Sequence, residues 1–483
     1  MRLLFFLTVG ILAASCGSLD QIKQETIFIP STYDQNVALN SLDSLQSNDS
    51  TKSVLSYQSF FKDTLLNALI DSALVANPDL LIANARIMQA RSNMVYTKGI
   101  RAPNLGLSIN NGVQRFGAYT IDGVGNYDTQ FSPNLTAEQQ IPNPVPDYYA
   151  AFYSSWELDV WGKLKNQKKA ALNRFMSSEF GRNAIMTDLI AELATKYYSL
   201  ISLDKELQII EENILLQENA LELVRAQMES GHTTELGIQL INAQVLNAKS
   251  LHIEVEQEIM EIENAINILL GRFPQPVARS KFTEDSPFST MLEVGLPADL
   301  LRQRPDIKMA EHELLASRAD LKSARAAFYP SIVLSGTIGL QSFNAALLLD
   351  APASITYNLL SGMIQPLVNR RLLKGQLMES TGREKEAYIR YEKTILTAFS
   401  EVYSLLKMKT NLDSITELKS SEVKVLEASV HTSKELFFSG RSTYLDIITA
   451  QEHYLNTQIQ MLKIYQKSMC NQIRLYRSLG GGW

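Results

Sequence analysis

Histidines, cysteines and acidic residues would build a catalytic or metal site, so their spacing is the first indication of function. The five histidines are scattered along the chain and show no ligand spacing (His232, His252, His312, His431 and His453). The sequence contains no GxxxxGK[ST] phosphate loop, no HExxH and no GxSxG. We therefore predict no catalytic residue, no metal and no cofactor.

The two cysteines, Cys16 and Cys470, lie far apart in the sequence. The first of them ends the stretch "MRLLFFLTVGILAASC", in which Arg2 precedes an apolar run and then small residues, as in a bacterial export signal. The small residues before Cys16 resemble a lipobox, whose cysteine is acylated after cleavage. We expect a signal peptide over residues 1–15 and a lipid on Cys16. An ordinary signal peptide with a chance cysteine is the alternative.

Net charge and hydropathy limit the classes of protein that the sequence can belong to. The net charge of -6 and the pI near 5.6 give no electrostatic basis for binding nucleic acid. After the signal, no segment has 18 consecutive apolar residues, so we expect no membrane-spanning helix. If the chain crosses a membrane, it must use strands closed into a barrel.

An internal repeat organises the rest of the sequence. At a constant offset of 227, five residues of one copy recur in the other: Pro78, Asp79, Ala83, Arg91 and Pro103 match Pro305, Asp306, Ala310, Arg318 and Pro330. Each Pro-Asp pair predicts a helix start, and Pro103 and Pro330 predict the joints where helix gives way to strand. We divide the chain into an extended arm over 16–59, repeat 1 over 60–285 and repeat 2 over 286–483.

Each repeat contains a predicted β-hairpin after its second proline. Apolar and polar residues alternate after both joints, and the two hairpins occupy about 104–160 and 331–366. The four strands of about ten to thirteen residues have the length of transmembrane barrel strands. Four strands cannot close a barrel, whereas three copies supply twelve, so a homotrimer follows from the membrane interpretation.

Long helices follow the hairpins. Residues 182–230 and 383–439 contain neither Gly nor Pro, which predicts two helices of about 60 to 70 residues. Turns at Gly231 and Gly440 lead into return helices over about 234–270 and 443–479. Their apolar stripes on a polar background are typical of coiled-coil walls.

These features resemble the outer-membrane efflux proteins of the TolC type, in particular the lipoprotein branch that includes OprM and NodT. The resemblance covers nearly all of the chain after residue 60. Its most specific stretches are "WELDVWGKLK", "GLPADLLRQRPDI", "ARAAFYPSIVLSG" and "FFSGRSTYLDIITAQ". The family's fold is an α+β membrane protein, a trimeric channel-tunnel with a twelve-strand barrel and a coiled-coil helical tunnel through the periplasm.

The resemblance also implies partners and a gate. It predicts a passive export duct in the outer membrane that docks to a periplasmic adaptor protein and an inner-membrane transporter. In this family the hairpin turns lie at the periplasmic tip, where Leu445 matches an apolar constriction and Asp446 an acid of the tip ring. Three symmetry-related carboxylates on a narrow axis would bind cations.

Two other functions fit parts of the sequence. A periplasmic coiled-coil adaptor would have one helical hairpin flanked by small β domains, whereas here the hairpin occurs twice. A structural envelope lipoprotein would not need four strands of barrel length. The efflux duct is therefore the leading hypothesis.

Overall fold

A computed structural model describes residues 56–229, 234–283, 287–288, 300–365 and 370–483. The predicted signal, Cys16, Gly231 and the boundary between the repeats at 285–286 lie outside these residues. The described chain begins with α1 (Tyr57–Phe60), so residues 57–59, which were expected in the extended arm, are helical. Helices α2 (Thr64–Ala76) and α3 (Pro78–Gly99) follow. The side chain of Asn77 accepts hydrogen bonds from the backbone N–H groups of Asp79 and Leu80 and so caps α3.

The sheet consists of four antiparallel strands in the order β1-β2-β3-β4. They are β1 (Asn104–Gln114), β2 (Val145–Leu158), β3 (Ser331–Ser342) and β4 (Ile355–Ile364). In each repeat the strand begins directly after the predicted proline. The hairpins of the two repeats join through β2 and β3, where Ala151 pairs with Gly339. This places β1 and β4 at the two edges of the sheet.

The connection between β1 and β2 contains a helix that its composition did not predict. Helix α4 (Ile121–Thr129) carries two glycines, which weaken a helix. The hydroxyl of Thr120 accepts a hydrogen bond from the N–H of Gly123 and caps the first turn. A 3₁₀ turn (Ala137–Gln139) follows, and a second 3₁₀ turn (Ala345–Leu347) lies between β3 and β4.

Among the described residues, two long helices and four helices of 22 to 35 residues make up most of the helical layer. Helix α5 (Lys163–Glu229) has 67 residues and α9 (Arg371–Phe438) has 68, which confirms the predicted length. The return helices are α6 (Glu235–Leu269) and α10 (Tyr444–Ser478), with 35 residues each. Helix α8 (Pro305–Ala326) follows the single turn α7 (Leu300–Gln303).

The helices form two levels that share α5 and α9. Next to the sheet, α3 packs on α5, α5 on α8, and α8 on α9. Away from the sheet, α6 and α10 pack on α5, and α10 also packs on α9. Each short helix near the sheet therefore meets a return helix end to end.

The largest buried cluster lies where the two levels meet. The rings of Phe60 and Tyr476 stack with centroids 4.3 Å apart, and Phe288 stacks on the other side of Phe60 at 4.9 Å. The hydroxyl of Tyr197 donates to Asp63 at 2.8 Å, and burial raises the pKa of Tyr197 to about 12. These contacts anchor the start of the described chain to the end of α10.

One stretch, Thr64–Gly99, is long and apolar enough to cross a membrane as a helix, by length and composition alone. The structure divides it at Asn77 into α2 and α3. Leu66, Ile70 and Ala73 of α2 are buried in the core. We therefore assign this stretch to the helical layer.

Candidate functional site

The tip of the second helical hairpin is closed by a glycine turn. Helix α9 ends at Phe438, and Gly440 follows with φ +70, a left-handed conformation that glycine adopts without strain. The N–H of Gly440 donates to Phe437 O and the N–H of Arg441 to Leu436 O, both at 2.9 Å. This is a Schellman motif, which reverses the chain into α10.

Asp446 has a local structural partner at this tip. Its carboxylate accepts hydrogen bonds from the backbone N–H of Thr443 at 2.8 Å and from the hydroxyl of Thr443 at 2.9 Å. The pair forms the capping box of α10, with Asp446 in the place of the usual glutamate. The spacing Thr-x-x-Asp before an apolar residue carried this signal in the sequence.

Leu445 lies on the exposed side of the first turn of α10. Its side chain is 53% exposed, whereas Ile447 and Ile448 are buried. Tyr444 packs on a cluster formed by both hairpins, which includes Leu221 of α5. Helices α5, α6 and α10 therefore pack together near this turn, and Leu445 lies on the surface.

The helix-to-strand joints differ in detail from the sequence prediction. Helix α3 ends at Gly99 and α8 at Ala326, so each helix stops four residues before Pro103 or Pro330. In both copies a turn bridges the gap, closed by hydrogen bonds such as Ala102 N–H to Gly99 O at 2.9 Å. The prolines directly precede the strands and do not themselves end the helices.

The two tryptophans of "WELDVWGKLK" hold the two joints. The indole N–H of Trp156 donates to Arg101 O at 3.0 Å in the first joint. The indole N–H of Trp161 donates to Pro330 O at 2.7 Å in the second joint. Asp159, between them, accepts from the backbone N–H groups of Leu164 and Lys165 at the start of α5. These hydrogen bonds give the residues of this family-typical stretch a structural role that sequence reasoning did not find.

A charged cluster lies where α10 meets α8. Arg304 is 6% exposed and contacts Asp306 through two nitrogens, at 3.1 and 2.8 Å. Glu401 of α9 bridges Arg304 at 2.9 Å and Arg477 at 2.8 Å, and Arg477 also contacts Asp188. Burial lowers the pKa of Arg304, but the neighbouring carboxylates outweigh it and the net shift is upward.

The described residues contain no group of three or more His, Cys, Asp or Glu side chains that could hold a metal ion. The Cys470 thiol of α10 is half-buried beside Ser199 of α5, and desolvation raises its pKa, so it is a poor nucleophile.

Comparison with known proteins identifies the family. The family model for outer membrane efflux protein matches residues 69–272 and 296–481. The cation efflux system protein CusC of Escherichia coli K12 is 25% identical over 98% of both chains. The probable outer membrane lipoprotein SilC of Salmonella typhimurium is 26% identical, over 100% of this chain and 99% of its own.

Solved structures show the same fold. A CusC structure has a TM-score of 0.81 at 24% identity, covering 97% of this chain and 100% of its own. The outer-membrane channel OprN has a TM-score of 0.79 at 22% identity, covering 90% of this chain and 96% of its own. The match to the family model and the shared fold lead to one conclusion: the chain belongs to the outer membrane efflux protein family.

Proposed function

We propose that three copies of this outer membrane efflux protein assemble into a closed tube, with a twelve-strand barrel in the membrane and a helical tunnel in the periplasm. The observation that carries the proposal is that the sheet of one protomer is not closed. The sheet has edge strands at β1 and β4, and open strand edges are not tolerated in lipid. Closure by other copies would pair β4 of one with β1 of the next.

The helices at the two sides of the helical layer also carry exposed apolar residues. Exposed apolar residues recur every seventh position on α3 (Leu81, Met88 and Val95) and on α6 (Leu246, Ile253 and Met260). Helix α9, at the other side of the layer, carries a similar stripe (Ile389, Leu396 and Tyr403). A heptad spacing suits packing between nearly parallel helices. Copies joined edge to edge would bury these stripes.

The exposed residues of the edge strands fit a lipid-facing surface. Leu105, Leu107 and Ile109 alternate along β1 and are 71%, 58% and 74% exposed. Alternating apolar residues facing out are the pattern of a membrane barrel strand. A soluble sheet would bury such a face.

The two alternatives from the sequence fit the protein less well. Among the described residues, two pairs of packed helices, α5 with α6 and α9 with α10, each follow a pair of strands, whereas an adaptor has one such pair. A structural envelope lipoprotein has no need for the sheet. We propose an adaptor protein and an inner-membrane transporter as partners, which the fold of a passive duct requires because it holds no energy source of its own.

The relatives do not share one cargo. CusC is named for cation efflux, while SrpC of Pseudomonas putida, 27% identical over 88% of this chain, is named for solvent efflux. We propose a duct for small molecules, with Leu445 and Asp446 of each copy at its narrow tip. Asp446 would keep its cap on α10 and still present negative charge to the axis.

Two measurements test this function. The mass of the detergent-solubilised protein should correspond to three protomers, and it should conduct ions in planar bilayers. A soluble monomer without conductance would refute the proposal. We also propose that Cys16 is acylated; mass spectrometry should show lipid on the wild-type chain and none on Cys16→Ser.

A further inference from the structure

Eleven Lys and Arg residues gather where the helices meet the sheet. We call them the basic collar. They lie in segments 97–104, 159–169, 321–331 and 370–378, and the same segments hold one acid, Asp159, of the 51 in the chain. The basic collar consists of Lys98, Arg101, Lys163, Lys165, Lys168, Lys169, Lys322, Arg325, Arg370, Arg371 and Lys374. In a chain of net charge -6, this is a strong local excess of positive charge.

Helix electrostatics explains only part of the basic collar. Lys98 and Arg325 lie in the last turns of α3 and α8, where the helix dipole favours a cation. Helices α5 and α9 begin at the collar, where the dipole favours acids, yet neither has an acid in its first turn. Seven of the eleven bases lie in or next to these two helix starts. Their position opposes the dipole, so helix electrostatics does not account for them.

Few collar residues have an acidic partner. Lys163 pairs with Glu157 at 2.5 Å, and Arg101 lies 3.9 Å from Asp159. Within the part of the chain that the structure describes, the other nine form no ion pair. Eight of those nine are exposed, Lys168 being half-buried. The basic collar therefore presents unneutralised charge to its surroundings.

The surface beside the basic collar changes from apolar to aromatic to basic. On β4, Leu359 is 75% and Met363 70% exposed. At the joint, the rings of Trp161 and Tyr329 stack 4.9 Å apart, and both are about half exposed. A cleft of about 230 Å³ opens between them and Lys163. An apolar band, then aromatic rings, then bases is the order in which a membrane's hydrocarbon, interface and anionic headgroups are met.

We propose that the basic collar binds the phosphate groups of anionic phospholipids in the inner leaflet of the outer membrane. The inference rests on the proposed function, because the sheet must span the membrane for the joints to lie at the periplasmic boundary. The partner is identified by charge complementarity and by continuity with the exposed apolar strands. Bases at this depth are attracted to anionic lipid within about 10 Å, the screening distance at about 0.1 M salt.

The test compares two charge-matched variants of the full chain. The collar variant carries Arg370→Gln, Arg371→Gln and Lys374→Gln. The control variant carries Lys385→Gln, Lys393→Gln and Lys424→Gln, three exposed residues of the same helix α9 that lie farther from the sheet. Native mass spectrometry of the purified protein then measures binding of phosphatidylglycerol and of phosphatidylcholine with the same acyl chains.

We expect the wild type and the control variant to bind phosphatidylglycerol at least about threefold more tightly than phosphatidylcholine, and the collar variant to lose most of this preference. Equal binding of the two lipids by the wild type would overturn the inference, as would an undiminished preference in the collar variant. If the collar variant does not assemble, Lys322→Gln with Arg325→Gln at the end of α8 provides the same comparison.

A conductance measurement distinguishes failure of this inference from failure of the proposed function. A wild-type protein that conducts in planar bilayers but shows no lipid preference would refute the basic collar alone. A protein that neither assembles nor conducts would refute both. Competition by inorganic phosphate at equal phosphate concentration would identify a general anion site and overturn the assignment to lipid.

Discussion

Asn77 and Arg304 occupy equivalent positions 227 residues apart, and each joins a return helix to the helix that begins beside it. The amide of Asn77 donates to Leu269 O, the last carbonyl of α6, at 2.9 Å. The guanidinium of Arg304 donates to Ser478 O, the last carbonyl of α10, at 3.1 Å. The two positions thus make the same kind of contact, one with a neutral group and the other with a buried charge.

The first prediction concerns this difference. Arg304→Met should destabilise the protein by about 3–5 kcal/mol, because it leaves Asp306 without its cation, Glu401 with Arg477 alone, and Ser478 O without its donor. Asn77→Ala should cost about 1–3 kcal/mol, the price of an unmade cap and a lost buried hydrogen bond. Denaturant unfolding in detergent measures both. Equal costs would show that the charge network adds nothing to the second junction.

The second prediction concerns the glycines that end the helices. Gly271 and Gly480 have φ of +63 and +87, and a Cβ on them would approach Ala76 O at 2.5 Å and Gln303 O at 2.6 Å. Alanine at either position should cost more than about 2 kcal/mol, because backbone strain and a clash add. Gly440→Ala is the control, since φ is +70 but the space around it is open. Gly440→Ala should lower the free energy of unfolding by the backbone strain alone, about 1–2 kcal/mol. Equal losses at all three positions would contradict the close approach of the helices.

The third prediction separates two roles of Asp446. Asp446→Asn removes the charge but keeps an oxygen that can cap α10, whereas Thr443→Ala removes a cap hydroxyl and keeps the charge. If Asp446 lies in a ring at the tip, Asp446→Asn weakens block of the channel by divalent cations and Thr443→Ala does not. Thr443→Ala should instead destabilise the hairpin by about 1 kcal/mol. Unchanged block in Asp446→Asn would leave Asp446 with its capping role alone.

The fourth prediction is a pH dependence at His312. Its Nδ1 lies 3.1 Å from Asn173 Oδ1, and its ring stacks on Phe180. Burial lowers the pKa of His312, Glu311 opposes this shift and Lys308 adds to it. The folded protein therefore binds the proton less tightly than the unfolded chain does, and stability falls as pH drops through the ordinary histidine pKa of about 6.5.

The measurement compares thermal midpoints of the wild type and His312→Gln at about pH 8 and about pH 5.5, on either side of that pKa. The wild type should lose more stability on acidification than the variant, in which this group cannot titrate. An identical loss in the two proteins would show that His312 takes up its proton in the folded state without cost.

Much of the fold could be predicted from sequence because its signals are local. Long runs without Gly or Pro predicted α5 and α9, and alternation after Pro103 and Pro330 predicted β1 and β3. The junctions could not be predicted in this way. The bond from Arg304 to Glu401 spans 97 residues, and no periodicity reports such a contact. The role of Trp161 likewise depends on a carbonyl 169 residues away.

At the tip, the structure adds a local role to one of the two residues that the sequence analysis singled out. Resemblance assigned Leu445 and Asp446 to a gate between copies. The protomer shows Asp446 capping its own helix, a local role that the Thr-x-x-Asp spacing could have revealed. The gate itself depends on symmetry between copies and stays a prediction.

Disulfide cross-linking shows whether neighbouring copies close the sheet. In a Cys470→Ser background, Ser108→Cys on the edge strand β1 is combined in turn with single cysteines at residues 356–362 on β4. A pair in register brings two Cα atoms within about 7 Å, so oxidation should link β1 of one copy to β4 of the next. We predict linked species of two and three protomers and none larger. No cross-link at any position, or cross-linked species of more than three protomers, would contradict closure of the sheet by three copies.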